Sequence, residues 1–271
     1  MLRVLLKLAC CMQASSENLE ILSRLGFQGI EVPGSLQLNP YTVSREDRRR
    51  LKELVESYGL KIVASNVIYP RGFQHTSDDE STRMRSVEYT WRLAEAAAEV
   101  DCRILVWGSS HARNIPVGIP VDIARERNLA VLREAGRAGE EYGVVFAIEP
   151  LSKRESNFIN TVLEAYEIAE SIGSDHLMVL ADTRHMIREE DSVLDSLRAV
   201  AKRLIHMHIA DENMRVPGRG IIDFSKVFKT LDEICYRGYL SIEARIGEKP
   251  FEELSFAKNY IEDSYRGSLL L

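Results

Sequence analysis

Nothing in this 271-residue sequence approaches the ~18 to 20 consecutive apolar residues of a membrane-spanning helix. The opening segment Met1–Ala9 is apolar but is cut by Lys7 and is too short for a secretory core, so it reads as a buried first strand. Cysteine is scarce. Cys10, Cys11, Cys102 and Cys235 show no CxxC spacing, which indicates neither a disulfide framework nor a zinc knuckle and points to a reducing compartment, the cytoplasm. Basic charge is not in excess: the formal net charge is −6, which speaks against a nucleic-acid partner. The one basic run, 45–52, is mixed in sign and reads as a solvated helix face with i,i+4 pairs. No GxGxxG or GxxxxGK[ST] follows an apolar run, so nucleotide binding loses its support. No Pro/Gly/Ser-rich linker divides the chain, and residues 1–271 are expected to form a single domain.

What is present is alternation. Hydrophobic residues make up 45% and charged residues 28% of the chain, enough to bury a sizeable core. Short apolar or β-branched runs at 3–9, 28–32, 60–66, 103–108, 144–149, 176–182, 204–210 and 239–244 read as strands. Most are apolar throughout, as in Val144-Val145-Phe146-Ala147-Ile148, which suits parallel strands covered on both faces. Between them the period becomes helical: Leu51, Leu54, Val55 and Tyr58 share a face, as do Val87, Trp91, Ala94 and Ala98, and Phe224, Val227, Phe228 and Leu231. Gly26, Gly59, Gly143 and Gly173 stand where helices should stop, and loop 76–82 should cap the next helix. Eight β-then-α units predict the α/β class and a single (β/α)8 TIM barrel, with a doubly wound open sheet as its rival.

In such a barrel the active site lies at the C-terminal ends of the strands. The last four predicted strands each end in a potential ligand: Glu149, Asp182, His208 and Glu243. Neighbouring strands run about 4.8 Å apart, so four consecutive ends can converge on one point. Three carboxylates and one imidazole form a hard donor set suited to one divalent ion, Mn2+ or Mg2+ with Co2+ possible. His206 lies on the same strand face one layer below His208, as a partner to that site or as a packed core histidine. His75, His111 and His176 have no partner by spacing and are expected on the surface or in loops. Trp107 and the residues through Arg113 follow the fourth strand and could form a substrate wall, with Arg113 available to a phosphate. A helix-entry loop with a solvated arginine is the plainer reading of the same stretch.

The segment Glu149-Pro150-Leu151-Ser152-Lys153-Arg154-Glu155 through Asn160-Thr161 resembles the EPLNRxExxxxNT signature of the sugar phosphate isomerase/epimerase superfamily, whose members are xylose isomerase-like TIM barrels. Asp182-Thr183-Arg184-His185-Met186 is similar to the DTxHM of its D-tagatose/D-psicose 3-epimerase branch. His208-Ile209-Ala210-Asp211 with Val216-Pro217-Gly218-Arg219-Gly220-Ile221-Ile222-Asp223-Phe224 is similar to that branch's HxxD…PGxGxIDF. The resemblance implies that Glu149, Asp182, His208 and Glu243 bind the metal, and that Glu155 and His185 contact substrate hydroxyls. It also implies a homo-oligomer, dimer or tetramer. One departure stands out: Met214 occupies the place of the branch's arginine, and Arg215 is the next residue able to take over its task.

The function these readings favour is epimerisation of a free or phosphorylated ketose at C3. Glu149 and Glu243, borne by the two strands that flank the set, would act as base and acid on opposite faces of a cis-enediolate. Aldose–ketose isomerisation of the hydroxypyruvate isomerase type uses the same intermediate and is the alternative. Abasic-site endonuclease chemistry needs a three-metal cluster with histidines on early strands, and Glu31-Val32-Pro33-Gly34 and Ser65-Asn66 supply none. A non-catalytic sugar-binding barrel would need neither base.

Overall fold

The computed structural model describes residues 6–268. Its strands are β1 (Lys7–Cys10), β2 (Gly29–Pro33), β3 (Lys61–Asn66), β4 (Ile104–Trp107), β5 (Val145–Ile148), β6 (Leu177–Asp182), β7 (Leu204–Ile209) and β8 (Tyr239–Ile242). All pair in parallel, in the order β1-β8-β7-β6-β5-β4-β3-β2. The remaining seam, between β1 and β2, is bridged by Cys11 against Glu31 and by the Met12 N–H on the Glu31 carbonyl at 3.0 Å. The sheet therefore curls into a nearly closed TIM barrel, and the open-sheet rival falls.

The expected first strand, 3–9, lies partly outside the described residues; what is described starts at Lys7 and runs to Cys10. Elsewhere strand limits agree with expectation within one or two residues, the usual uncertainty of element ends. The ladder runs past two of those limits, since the Glu149 N–H reaches the Trp107 carbonyl at 3.4 Å and the Glu243 N–H reaches that of Ile209 at 3.3 Å.

Helices cover the outside. Phe224, Val227, Phe228 and Leu231 are all buried, as their spacing predicts. The helix Glu80–Glu99 departs from its expected stripe: it buries Tyr89, Thr90, Leu93, Ala94, Ala96 and Ala97, a broader face than Val87-Trp91-Ala94-Ala98. It packs on the barrel and also against the helix Val121–Tyr142, so one stripe does not suffice. Asp79 caps it by accepting the N–H groups of Ser81 at 3.1 Å and Thr82 at 3.2 Å. Gly143 and Gly173 end their helices with φ of 65° and 74°, values that a side chain would oppose. In the basic run, Arg49–Glu53 and Arg50–Glu46 are exposed i,i+4 pairs. Arg48 is the exception: it is buried and grips Glu99 at 2.8 Å, tying its helix to the next.

Alternation along the strands decides what faces the barrel axis. Register pairs Leu180 with His206 and Val106 with Ala147, and Val106, Ala147 and Leu180 form a small apolar layer separate from the main core. Two residues further along, the same inward phase delivers Gly108, Glu149, Asp182 and His208 to the mouth. No described helix is long and apolar enough to cross a membrane.

Candidate metal centre

Each of the four strand-end side chains reaches the same space. One ligand atom from each of Glu149, Asp182, His208 and Glu243 lies within 4.8 Å of all the others. His208 sits at the centre: its Nδ1 is 3.0 Å from Glu149 Oε1 and 3.3 Å from Glu243 Oε2. Asp182 accepts the Arg184 backbone N–H through Oδ1 at 2.7 Å, while its Oδ2 is buried with no hydrogen-bond partner. An orphaned carboxylate oxygen of this kind is costly unless something cationic completes it. Three carboxylates share the space with one imidazole, and their mutual repulsion likewise calls for a cation. By the chemistry of its donors the set fits a hard divalent ion.

The electrostatics differ from residue to residue. Burial pushes Asp182 up to about 8, aided by the Glu243 charge and opposed by Arg184. Burial also raises Glu149, against the pull of His208. For Glu243 burial acts upward too, but the charge and hydrogen bond of His208 outweigh it and hold the carboxyl down to about 2. His208 is held well above the ordinary histidine range because Glu31 and Glu243 overcome its burial.

Glu31 was not singled out by the sequence reading. It is fully buried on β2, and its two oxygens accept from His206 Nε2 at 2.8 Å and His208 Nε2 at 2.9 Å. This fixes the proton of His208 on Nε2 and leaves Nδ1 to face the carboxylates, as a metal-ligating histidine requires. His206 is thus a partner to the site through Glu31. The available signal was a lone charge inside the apolar run Gly29-Ile30-Glu31-Val32. Asn66, from the end of β3, donates to Glu243 Oε1 at 3.2 Å.

Gly108 was also missed. A Cβ built there would stand 1.8 Å from Glu149 Oε2, so the carboxylate occupies the space that the missing side chain leaves.

The residues expected at the substrate wall divide. His185 lies beside the centre, its Nε2 3.7 Å from Asp182 Oδ2 and its Nδ1 accepting the Ser152 N–H at 2.9 Å. Glu155 meets the Arg184 guanidinium at 2.5 Å, which brings Arg184 into the site. Trp107 does not line the mouth. It is 1% exposed and out of phase with Val106, so it faces the helical shell, with its ring 5.4 Å from that of His75. Arg113 is fully buried over the Trp107 ring and donates to the Trp107 carbonyl at 2.9 Å. Neither a solvated arginine nor an accessible phosphate clamp describes it, and its charge reaches Glu149 only through space. Arg215 is exposed and pairs with Glu212.

Of the histidines expected on the surface or in loops, His75 and His176 do lie in loops and His111 in the short helix Ser110–Arg113, but none is exposed. His75 is buried between Tyr69 and Trp107, and burial pushes its imidazole down to about 3. His111 and His176 are half-buried and bond to the backbone carbonyls of Pro70 and Val144 at 3.1 and 2.7 Å. The rest of the quoted motifs shapes loops. Asp211 is buried and gathers the N–H groups of Gly218, Gly220 and Ile222 at 2.9 to 3.0 Å. Thr161 forms a capping box with Glu164.

Residues 19–260 match the family model described as the xylose isomerase-like TIM barrel. A D-psicose 3-epimerase of Enterocloster bolteae is 30% identical over 224 residues, which span 82% of this chain and 74% of that one. A 3-dehydro-D-guloside 4-epimerase of Escherichia coli is 28% identical over 238 residues, 85% of this chain and 87% of its own. Among solved structures, a 3-keto-D-glucoside 4-epimerase from E. coli, in its apo form, superposes with a TM-score of 0.83 at 25% identity, covering 96% of this chain and 100% of that one. A D-psicose 3-epimerase with D-tagatose, from Clostridium cellulolyticum H10, shares the fold with a TM-score of 0.80 at 22% identity, over 97% of each chain.

Proposed function

This chain belongs to the xylose isomerase-like TIM-barrel family, and from that premise we propose that it is a metal-dependent sugar isomerase inverting the carbon beside a carbonyl: a ketose 3-epimerase acting on a free or phosphorylated ketose. The observation that carries the reading is the pair Glu149 and Glu243, which approach His208 Nδ1 from two strands that are not neighbours. Glu149, Asp182, His208 and Glu243 would hold the ion, with Mn2+ the best match to a mixed carboxylate–imidazole set and Mg2+ or Co2+ the alternatives. Such an ion, when bound, polarises the substrate carbonyl and acidifies the neighbouring C–H.

The residues of the chain do the proton work. One carboxylate takes the proton from C3, and the electron pair moves into the carbonyl to give a cis-enediolate. The other carboxyl delivers a proton to the opposite face, and configuration at C3 inverts. Each exchanges roles in the return direction.

A second reading is inversion at C4 of a 3-keto sugar, favoured by the E. coli 4-epimerase relative, whose alignment covers more of both chains. The chemistry is the same, moved one carbon along. Turnover in D2O separates the possibilities. Deuterium at C3 of a 2-ketose product supports the leading reading, and deuterium at C4 of a 3-keto product supports the second. Deuterium at C1 would replace both with aldose–ketose isomerisation. Binding without exchange at any carbon would leave only a sugar-binding barrel.

A further inference from the structure

The residue between Asp182 and His185 that matters most is the one the motif leaves open. Arg184 is 6% exposed, at the start of the helix Thr183–Glu189 that follows β6. Its Nη1 is held by Glu155, and its Nη2 lies 2.7 Å from His185 Nε2. That second contact is between two donors. The Ser152 N–H already occupies the lone pair on His185 Nδ1, so the neutral ring carries its proton on Nε2, and a guanidinium has no lone pair to receive it. The nearest acceptor, Asp182 Oδ2, stands 3.8 Å from Arg184 Nη2 and 3.7 Å from His185 Nε2, beyond hydrogen-bond reach. Two buried N–H groups thus converge beside the proposed metal ligand Asp182 with no protein oxygen to satisfy them.

We propose that Arg184 is a catalytic residue: with His185 it donates to the substrate oxygen that becomes negatively charged when the carbon beside the carbonyl loses its proton. The inference rests on the epimerase reading and deepens it. When the base removes that proton, the C–H electron pair moves into the carbonyl and the oxygen acquires charge. Arg184 and His185 stabilise this oxygen by hydrogen bonds without giving up a proton, and the pair returns to carbon as the acid protonates the opposite face. Donors aimed at developing charge in a dry site gain strength as the charge grows, so the effect falls on the rate more than on binding. A guanidinium entering from the end of β6 also answers the departure at Met214, since the arginines of the loop after β7 are engaged elsewhere, Arg215 with Glu212 and Arg219 over the Phe256 ring.

The test uses Arg184→Gln and Arg184→Lys in the metal-loaded enzyme, with metal content and thermal midpoint measured alongside. For the accepted sugar, kcat should fall about 10²-fold in the glutamine variant with KM little changed, as for loss of an oxyanion donor. The lysine variant should recover part of the rate, since it keeps charge without the fork. An independent readout is the affinity for oxalate, a planar dianion that presents two oxygens as an enediolate does. Arg184→Gln should weaken it tenfold or more at unchanged metal content. If the variant turns over normally, or binds oxalate within twofold of the wild type, the assignment of Arg184 is wrong and the epimerase reading stands. If the wild type turns over no ketose or 3-keto sugar yet the oxalate difference appears, the epimerase reading fails and the anion-donor role survives. Failure of the wild type to bind oxalate would overturn the donor role outright.

Discussion

At the scale of single residues, the convergence of Glu149, Asp182, His208 and Glu243 was legible because potential ligand types ended four consecutive apolar runs. The residues that hold that set were not. Glu31 lies far from His208 in sequence, and only barrel closure brings β2 opposite β7, so spacing could not pair them. Replacing it by glutamine removes the charged acceptor that fixes His208, and apparent metal affinity should fall about 10- to 100-fold by calorimetry. Unchanged affinity would mean that His208 is oriented by something else. Gly108 is hidden for a different reason: its role is to be absent. Gly108→Ala would put a methyl group 1.8 Å from Glu149 Oε2 and force the carboxylate aside. A displacement near 1 Å costs about 10²-fold in rate, so kcat/KM should drop by that order while the thermal midpoint changes little. Activity within threefold of wild type would show that Glu149 has room elsewhere.

At the scale of elements, strands and helices were read well and the phase at their ends less so. Trp107 and Glu149 both follow apolar runs, but β4 carries Val106 and Gly108 inward and turns Trp107 toward the helices. A uniformly apolar strand gives no alternation from which to read that phase. The same ambiguity hid His75, which packs against Trp107 from the segment leading into the helix Glu80–Glu99. This makes an acid-sensitive element. The imidazole is held neutral, down to about 3, against an ordinary value of 6.5, so below pH 6.5 the unfolded chain binds a proton that the folded chain refuses. Stability is therefore full above 6.5 and lost as pH falls toward 3, by up to about 1.4 kcal/mol per pH unit. Measured from pH 7.5 to 5, the urea midpoint of the wild type should fall relative to that of His75→Phe as acid is added. Parallel curves would rule out His75 as the source.

At the scale of the whole molecule, fold and proposed site are coupled, because the four ligand-bearing side chains come from four strands spanning half the barrel. A divalent ion joining them binds only the folded chain. At a hundredfold excess over Kd it should add about 2.7 kcal/mol of stability. For a domain of this size that corresponds to roughly 5 to 10 °C in thermal midpoint, reversed by EDTA. The coupling also has a sign in pH. Asp182 is raised to about 8 and His208 lies well above its usual range, so near neutrality both hold protons that the ion must displace. Apparent affinity should thus strengthen as pH rises from 6 toward 8, with net proton release on binding. Calorimetry in two buffers of different ionisation enthalpy measures that release directly. Asp182→Asn would remove one of the displaced protons along with a ligand, giving weaker binding with a shallower pH dependence. If wild-type binding released no protons and its affinity were flat over that range, the ion would be held somewhere other than among these four side chains.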